Sequence, residues 1–238
     1  MTSEFFPENI SVISTKRYLF EKPKVFSNGY DSFNIADHVM DDPDRVFENR
    51  KKLVTYFELP SEPRYLNQIH SDKCIRFNAS ECEGDALYTN KKNEVCAILT
   101  ADCLPIFISD TLGQEVAVIH AGWKGLLEGI IEETIGSFVS KNLVAHFGPA
   151  ISQDSFEVGE EVKDQYISKD SSFKISFKTI AGKYYLDLYS AAKLVLNNFD
   201  IHKISGGTEC TFKQKDEYFS YRRDGKHSGR MVNLIWIN

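Results

Sequence analysis

Apolar residues recur along this chain mostly in short runs separated by polar, glycine-bearing or proline-bearing turns, the pattern of strands buried on one or both faces. Such runs predict strands over 10–13, 24–26, 64–69, 73–77, 86–89, 95–100, 104–109, 115–119, 143–147, 184–188 and 203–205, and an apolar strand ends the chain. Pro105 has no amide to donate, which suits the beginning of a strand or a sheet edge. Four stretches carry helical spacing instead. Asp42 can cap and Pro43 can open a helix reaching about residue 57, with Val46, Leu53, Val54 and Phe57 on its apolar stripe and Arg45, Arg50 and Lys51 on or beside the wet face. A helix over 126–141 would bury Leu127, Ile130, Ile131, Ile135 and Phe138. A third is expected over 158–167. The strand over 184–188 passes into a fourth that runs to about 199, buried through Leu188, Ala191, Ala192, Val195 and Phe199. Residues 169–183 are polar without a clear period, as a surface excursion would be. Strands in runs with only a few helices between them favour an α+β domain over a doubly wound parallel sheet.

Length adds that one core suffices: 238 residues fit a single domain spanning the whole chain, 1–238. A net charge of -6 argues against nucleic-acid binding, which needs a basic surface. No apolar run approaches the roughly 20 residues of a membrane span, and MTSEFFPENI has neither a basic start nor an apolar centre, so a cytoplasmic protein is expected. Five cysteines at irregular spacing (Cys74, Cys82, Cys96, Cys103, Cys210) agree, since they form no disulfide framework and no CxxC knuckle.

Three predicted strands end in chemically capable residues: His70 after 64–69, Cys103 after 95–100 and His120 after 115–119. Two imidazoles and a thiolate suit zinc and leave a position open for water or substrate. Cys103 activated by His120 would equally make a nucleophile pair, and a thiolate bound to metal is not also a free nucleophile. Taken singly, each residue is also compatible with an inert core cysteine or a hydrogen-bonded histidine. Asp85, in EGDALYT, and Asp102 are the carboxylates placed to orient a ligand histidine or move a proton, although Asp85 also fits a plain turn. Arg222, Arg223 and Arg230 cluster around Gly225 and Gly229; their guanidinium groups can grip phosphate or pair with Asp216, Glu217 or Asp224. His38, His146, His202 and His227 show no usable partner spacing, and the other four cysteines read as structural.

Taken together, NQIHS, GDALYT, LTADCLPIF, IHAGWKG, GPAI with FEVGEEV, and FSYRRDGKHSGRM resemble the YfiH family over nearly the whole chain. Its members have been described as multicopper polyphenol oxidases or laccases, peptidoglycan editing factors and purine nucleoside phosphorylases. The resemblance implies packed mixed β-sheets flanked by helices, a cysteine-hydrolase-like αββα sandwich, with His70, Cys103 and His120 binding zinc. It also implies phosphorolysis of adenosine, inosine, guanosine and methylthioadenosine, with adenosine deamination. Arg222, Arg223 and Arg230, with Lys124, would then hold phosphate, and Cys103, His120, Asp85 and Asp102 would serve the chemistry. Lys124 stands where many relatives carry arginine, and Ser71 where many carry glycine. A Cys103/His120 hydrolase or amidase acting on a peptidoglycan precursor, and a copper-dependent polyphenol oxidase, are the alternatives. Six histidines are too few for the several copper sites of a true laccase, so copper would have to act at the one triad. The HxE and PCxxC signature of nucleobase deaminases is absent as well.

Overall fold

The capping chemistry at Asp42 works as the sequence predicts: its carboxylate accepts from the Asp44 amide at 2.9 Å, Pro43 opens the helix, and Val46 and Leu53 are buried. The computed structural model describes residues 5–19, 30 and 33–238, so the strand expected over 24–26 lies outside the described residues. The chain runs through β1 (Ile10–Ser14), α1 (Pro43–Tyr56), β2 (Cys74–Arg76), β3 (Ala86–Thr89), β4 (Cys96–Thr100), β5 (Leu104–Asp110) and β6 (Val116–Ala121). It continues through α2 (Trp123–Glu128), α3 (Ile130–Gly136), β7 (Leu143–Phe147), β8 (Glu157–Val158) and α4 (Glu160–Lys169). After these come β9 (Phe177–Ile180), β10 (Lys183–Leu186), α5 (Leu188–Asn198), β11 (Ile204–Gly206), α6 (Tyr221–Asp224) and β12 (Met231–Ile237).

A six-stranded sheet, ordered β11-β7-β5-β6-β3-β2, is antiparallel at its centre and parallel at its two outer pairs. One face carries Tyr88, Leu104, Ile106, Ile108 and Ile119 against the apolar sides of α3 and α5. The other carries Leu87, Phe107, Val116 and Val118 against Ile10, Ile98 and Ile235 of a second sheet, β1-β12-β4. That second sheet turns Ala97, Leu99, Leu234 and Trp236 outward onto Leu53 of α1 and Ile35. Strand residues alternate between two buried faces, which is why β4, β5, β6 and β12 read as mainly apolar runs with no polar alternation, their few polar residues (such as Ser109 and Asn233) being buried as well. Among the described residues no helix is long and apolar enough to cross a membrane.

Four expectations need correction. The helix over 126–141 is two helices, α2 and α3, because Gly129 adopts φ 113°, a left-handed conformation that ends one and starts the other. Residues 64–69 make only isolated bridges, at Arg64 and Asn67. Beyond these, the Gln68 side-chain amide takes the place of a strand's backbone, donating to the Leu99 carbonyl (2.8 Å) and accepting from the Leu99 amide (2.7 Å). The segment 169–183 is more than an excursion: Phe173 and Ser176 are buried, and β9 pairs with β10 in a hairpin whose outer residues face water. Phe199 is exposed, since the helix stops one residue earlier and Phe199 is its cap.

Candidate metal centre and its pocket

Antiparallel pairing gathers the chemistry at one edge of the six-stranded sheet. In β6, Ala121 lies opposite Leu104, the first residue of β5, and Ile119 lies opposite Ala86, the first residue of β3. Cys103, His120 and Asp85 therefore meet although they come from three strands. The fourth participant, His70, arrives on a loop with φ 60°. This left-handed turn lets three successive amides converge on one anion. The amides of Ile69, His70 and Ser71 all donate to the Asp85 carboxylate, at 3.2, 3.0 and 2.6 Å, and the Ser71 hydroxyl adds a fourth bond at 2.8 Å. The Ser71 hydroxyl thus strengthens the contact that its amide already makes.

Asp85 also accepts from Nδ1 of His120 at 2.8 Å, and both groups are buried. With Nδ1 committed, Nε2 is the nitrogen His120 has left for a ligand. One carboxylate therefore orients the His120 ring, as outer partners of metal-binding imidazoles do, and anchors the backbone that carries His70. His70, Cys103 and His120 each offer one donor atom, all within 4.8 Å of one another, and Cys103 Sγ lies 3.7 Å from His70 Nε2. Tetrahedral zinc, with bonds of about 2.0–2.3 Å, needs an N to S separation of roughly 3.5 Å, so the donor set fits with little movement. Among the described residues this is the one cluster of three or more such donors.

Charge reinforces the geometry. Burial alone would raise the Cys103 thiol, but the neighbouring His120 and His70 outweigh it and bring the thiol below its ordinary value. Burial alone would lower His120, but the Cys103 thiolate and the Asp85 carboxylate lift it above the ordinary imidazole range. Burial also opposes ionisation of Asp85, yet the bonds from His120 and Ser71 hold it at about 2. A carboxylate depressed in the folded state stabilises the fold above its unfolded pKa of about 4 and loses that contribution as pH falls toward 2. Asp85→Ala, which strands His120 and three amides, is expected to lower stability by about 3–5 kcal/mol. In urea unfolding, its deficit relative to wild type should shrink between about pH 4 and pH 2.

Asp102 has a different task from the proton transfer that its position suggests in sequence. It is buried at φ 93°, and its carboxylate accepts from Thr211 Oγ1 (2.6 Å), Ser220 Oγ (3.0 Å) and the Arg222 amide (2.6 Å). It thereby caps the start of α6 and ties the arginine loop to the residue beside Cys103. Neither Asp85, enclosed behind His120, nor Asp102, with both oxygens engaged, is arranged to carry a proton to a ligand.

The pocket above the triad encloses about 460 Å³, within the range of small-molecule sites. Arg222 and Arg230 reach its wall. Arg222 donates to the Glu157 carbonyl at 2.9 and 3.0 Å and packs on Phe156, while NH1 of Arg230 bonds the carbonyls of Ser228 and Gly229, leaving Nε and NH2 for a ligand. Arg223 is not in the wall: its five N–H groups go to Asp224 and to the carbonyls of Thr211, Phe212 and Tyr218. Lys124 is also outside it, paired with Glu128 one turn along α2 at 3.5 Å. The wall contains residues that sequence reasoning passed over: His38, Trp123, Phe156 and Tyr221. Trp123, Phe156 and Tyr221 lie inside the motifs IHAGWKG, FEVGEEV and FSYRRDGKHSGRM, a signal that was available. His38 had none.

A family model described as multi-copper polyphenol oxidoreductase laccase matches residues 18–238. The chain is 43% identical over 238 residues to a purine nucleoside phosphorylase of Haemophilus influenzae, covering 97% of this chain and 96% of that protein. It is 41% identical over 213 residues to purine nucleoside phosphorylase YfiH of Escherichia coli K12, covering 87% of each. Among solved structures, protein NMB0706 of Neisseria meningitidis superposes with a TM-score of 0.90 at 37% identity, covering 98% of this chain and 96% of that one.

Proposed function

Since this chain belongs to the YfiH family, whose model is the laccase-like one and whose relatives are named purine nucleoside phosphorylases, we propose that it is a metal-dependent purine nucleoside phosphorylase. Its substrates would be adenosine, inosine, guanosine and methylthioadenosine, cleaved to free base and ribose or methylthioribose 1-phosphate. One observation carries this reading: a three-donor metal cluster, three aromatic side chains and two guanidinium groups share the wall of one pocket. Trp123, Phe156 and Tyr221 offer faces for a purine. Arg222 and Arg230 offer the bidentate geometry that suits phosphate. In the reaction the C1′–N9 bond breaks with its electron pair going to the purine, and a phosphate oxygen bonds C1′. The arginines hold that oxygen in line, and Asp102 fixes Arg222 relative to Cys103.

The His70, Cys103 and His120 donors suit zinc, and copper also, and the ion when bound would supply Lewis-acid polarisation. Asp85 would keep the His120 imidazole turned toward it and anchor the backbone that carries His70. Adenosine deamination, releasing ammonia with water as co-substrate, belongs to the same proposal, and so does a cytoplasmic location. The test is stoichiometric release of hypoxanthine and ribose 1-phosphate from inosine by metal-analysed protein. Base release that does not depend on phosphate would sink the mechanism. Asp102→Asn sets an amide N–H2 among donors that now meet a carboxylate. The loss of a charged hydrogen bond, about 1.5–3 kcal/mol, should raise KM for phosphate roughly tenfold or more while metal content stays at the wild-type level.

A second reading has an observation of its own. The lowered Cys103 thiol beside the raised His120 is the pairing a cysteine hydrolase or amidase needs, and the αββα layering accords with a cysteine-hydrolase-like fold. Metal-free protein that is fully active on a peptidoglycan precursor, and inactivated by alkylation at Cys103, would favour it. Polyphenol oxidation with added copper would be the activity of copper at this single triad.

A further inference from the structure

Phosphorolysis requires a proton as well as an anion site, because a purine leaves as a far better group once N7 is protonated. The pocket wall holds six side chains that exchange protons: His38, His70, Asp102, Cys103, His120 and Tyr221. His70, Cys103 and His120 face one another as ligand donors, and Asp102 has its oxygens engaged by Thr211, Ser220 and Arg222. Tyr221 turns its ring toward the Arg230 guanidinium, 5.7 Å away. We propose that His38 is the general acid that protonates the departing purine, an inference that rests on the phosphorolysis reading.

The local contacts prepare His38 for this. Its Nδ1 lies 3.8 Å from Asp37 Oδ1, while the other Asp37 oxygen is 3.0 Å from NH1 of Arg50. Arg50 is itself anchored, with Nε donating to the Ile35 carbonyl at 3.0 Å and the guanidinium 4.4 Å from the centre of the Tyr65 ring. This chain of contacts ties the loop to α1 and keeps a carboxylate 3.8 Å from Nδ1, beyond hydrogen-bond distance but near enough to favour the protonated ring. The side chain is 59% exposed, at the mouth where a bound nucleoside would cover it.

The charges around His38 respond to phosphate. Partial desolvation at the pocket wall, then the cation Arg230 with a smaller push from Arg50, keeps the imidazole below its ordinary value against the opposing pull of Asp37. A phosphate dianion on Arg230 would offset the cation with the larger effect on His38 and so favour the protonated imidazole as the second substrate arrives. The step balances without a further reactant. HPO4²⁻ loses its proton when its oxygen bonds C1′, the purine gains one at N7, and His38 relays a proton between the two.

The test compares His38→Asn with wild type on inosine and on 7-methylguanosine, whose purine already carries its positive charge and leaves without protonation. Expected is a fall of about 100-fold or more in kcat for inosine. For 7-methylguanosine kcat should stay within about threefold of wild type, at unchanged metal content. His38→Gln should show the same split, which separates proton donation from a packing effect. An equal fall on both nucleosides, or no fall on inosine, overturns the assignment. Wild-type protein that cleaves neither nucleoside in phosphate defeats the phosphorolysis reading itself, an outcome recognisable before any variant is made.

Discussion

Cys103→Ser is expected to lose its metal during dialysis against a mild chelator and to lose nucleoside cleavage with it. Removing a direct donor should cost more than the roughly 10–100-fold in affinity that follows loss of an outer partner of a ligand. Serine is nearly isosteric, so the fold is retained, but its hydroxyl stays protonated and supplies no anionic donor at 3.7 Å from His70 Nε2. Metal per chain and kcat/KM are measured on the same preparation. Full metal with no activity would move the assignment toward a nucleophilic Cys103, and full activity would remove Cys103 from the chemistry altogether.

Gly122→Ala should give the same loss of metal without touching a ligand. Gly122 has φ -73° and ψ 165°, which alanine adopts without strain, so the effect is one of space. A Cβ there would stand 2.7 Å from Cδ2 of His70 and 3.2 Å from Sγ of Cys103. His70 is on the exposed side of the triad and can swing away to make room, which relieves the clash and dismantles the site. Crowding of this kind costs about 1–3 kcal/mol, a shift of a few degrees in Tm, whereas bound metal should fall well below half of the wild-type stoichiometry. A Gly122→Ala protein holding metal as wild type does would show that the donors meet differently from the arrangement described.

Both variants act where the sequence was only partly legible. The strands β4, β5 and β6 could be read from their apolar runs, because a strand buried on both faces has few polar positions and these fall near its ends. The caps of α1 could be read because Asp42 and Pro43 act on neighbours in the chain. The donor triad was visible as residue types closing apolar runs, two of them true strands or strand starts and one, before His70, a loop, and several motifs in one order made it specific. Residues 64–69 misled for a physical reason: Gln68 imitates a peptide group with its side chain, and composition does not distinguish that from a strand. The break at Gly129 was hidden because isolated glycines are tolerated within helices, and only its left-handed φ ends one.

What the sequence by itself determined is the inventory: apolar strands in quantity for two packed sheets, one cysteine and two histidines after apolar runs, carboxylates beside them, and arginines near the C-terminus. Tertiary structure alone decided which of these groups are still free to act. Asp85 and Asp102 became positioning groups once amides and hydroxyls from distant segments filled their oxygens, and Arg223 was consumed by carbonyls of its own loop. Arg222 and Arg230 reached the pocket, and His38 came to its mouth. A side chain's chemistry depends on the hydrogen bonds and charges it already has, and here those partners come from as far as 120 residues away along the chain.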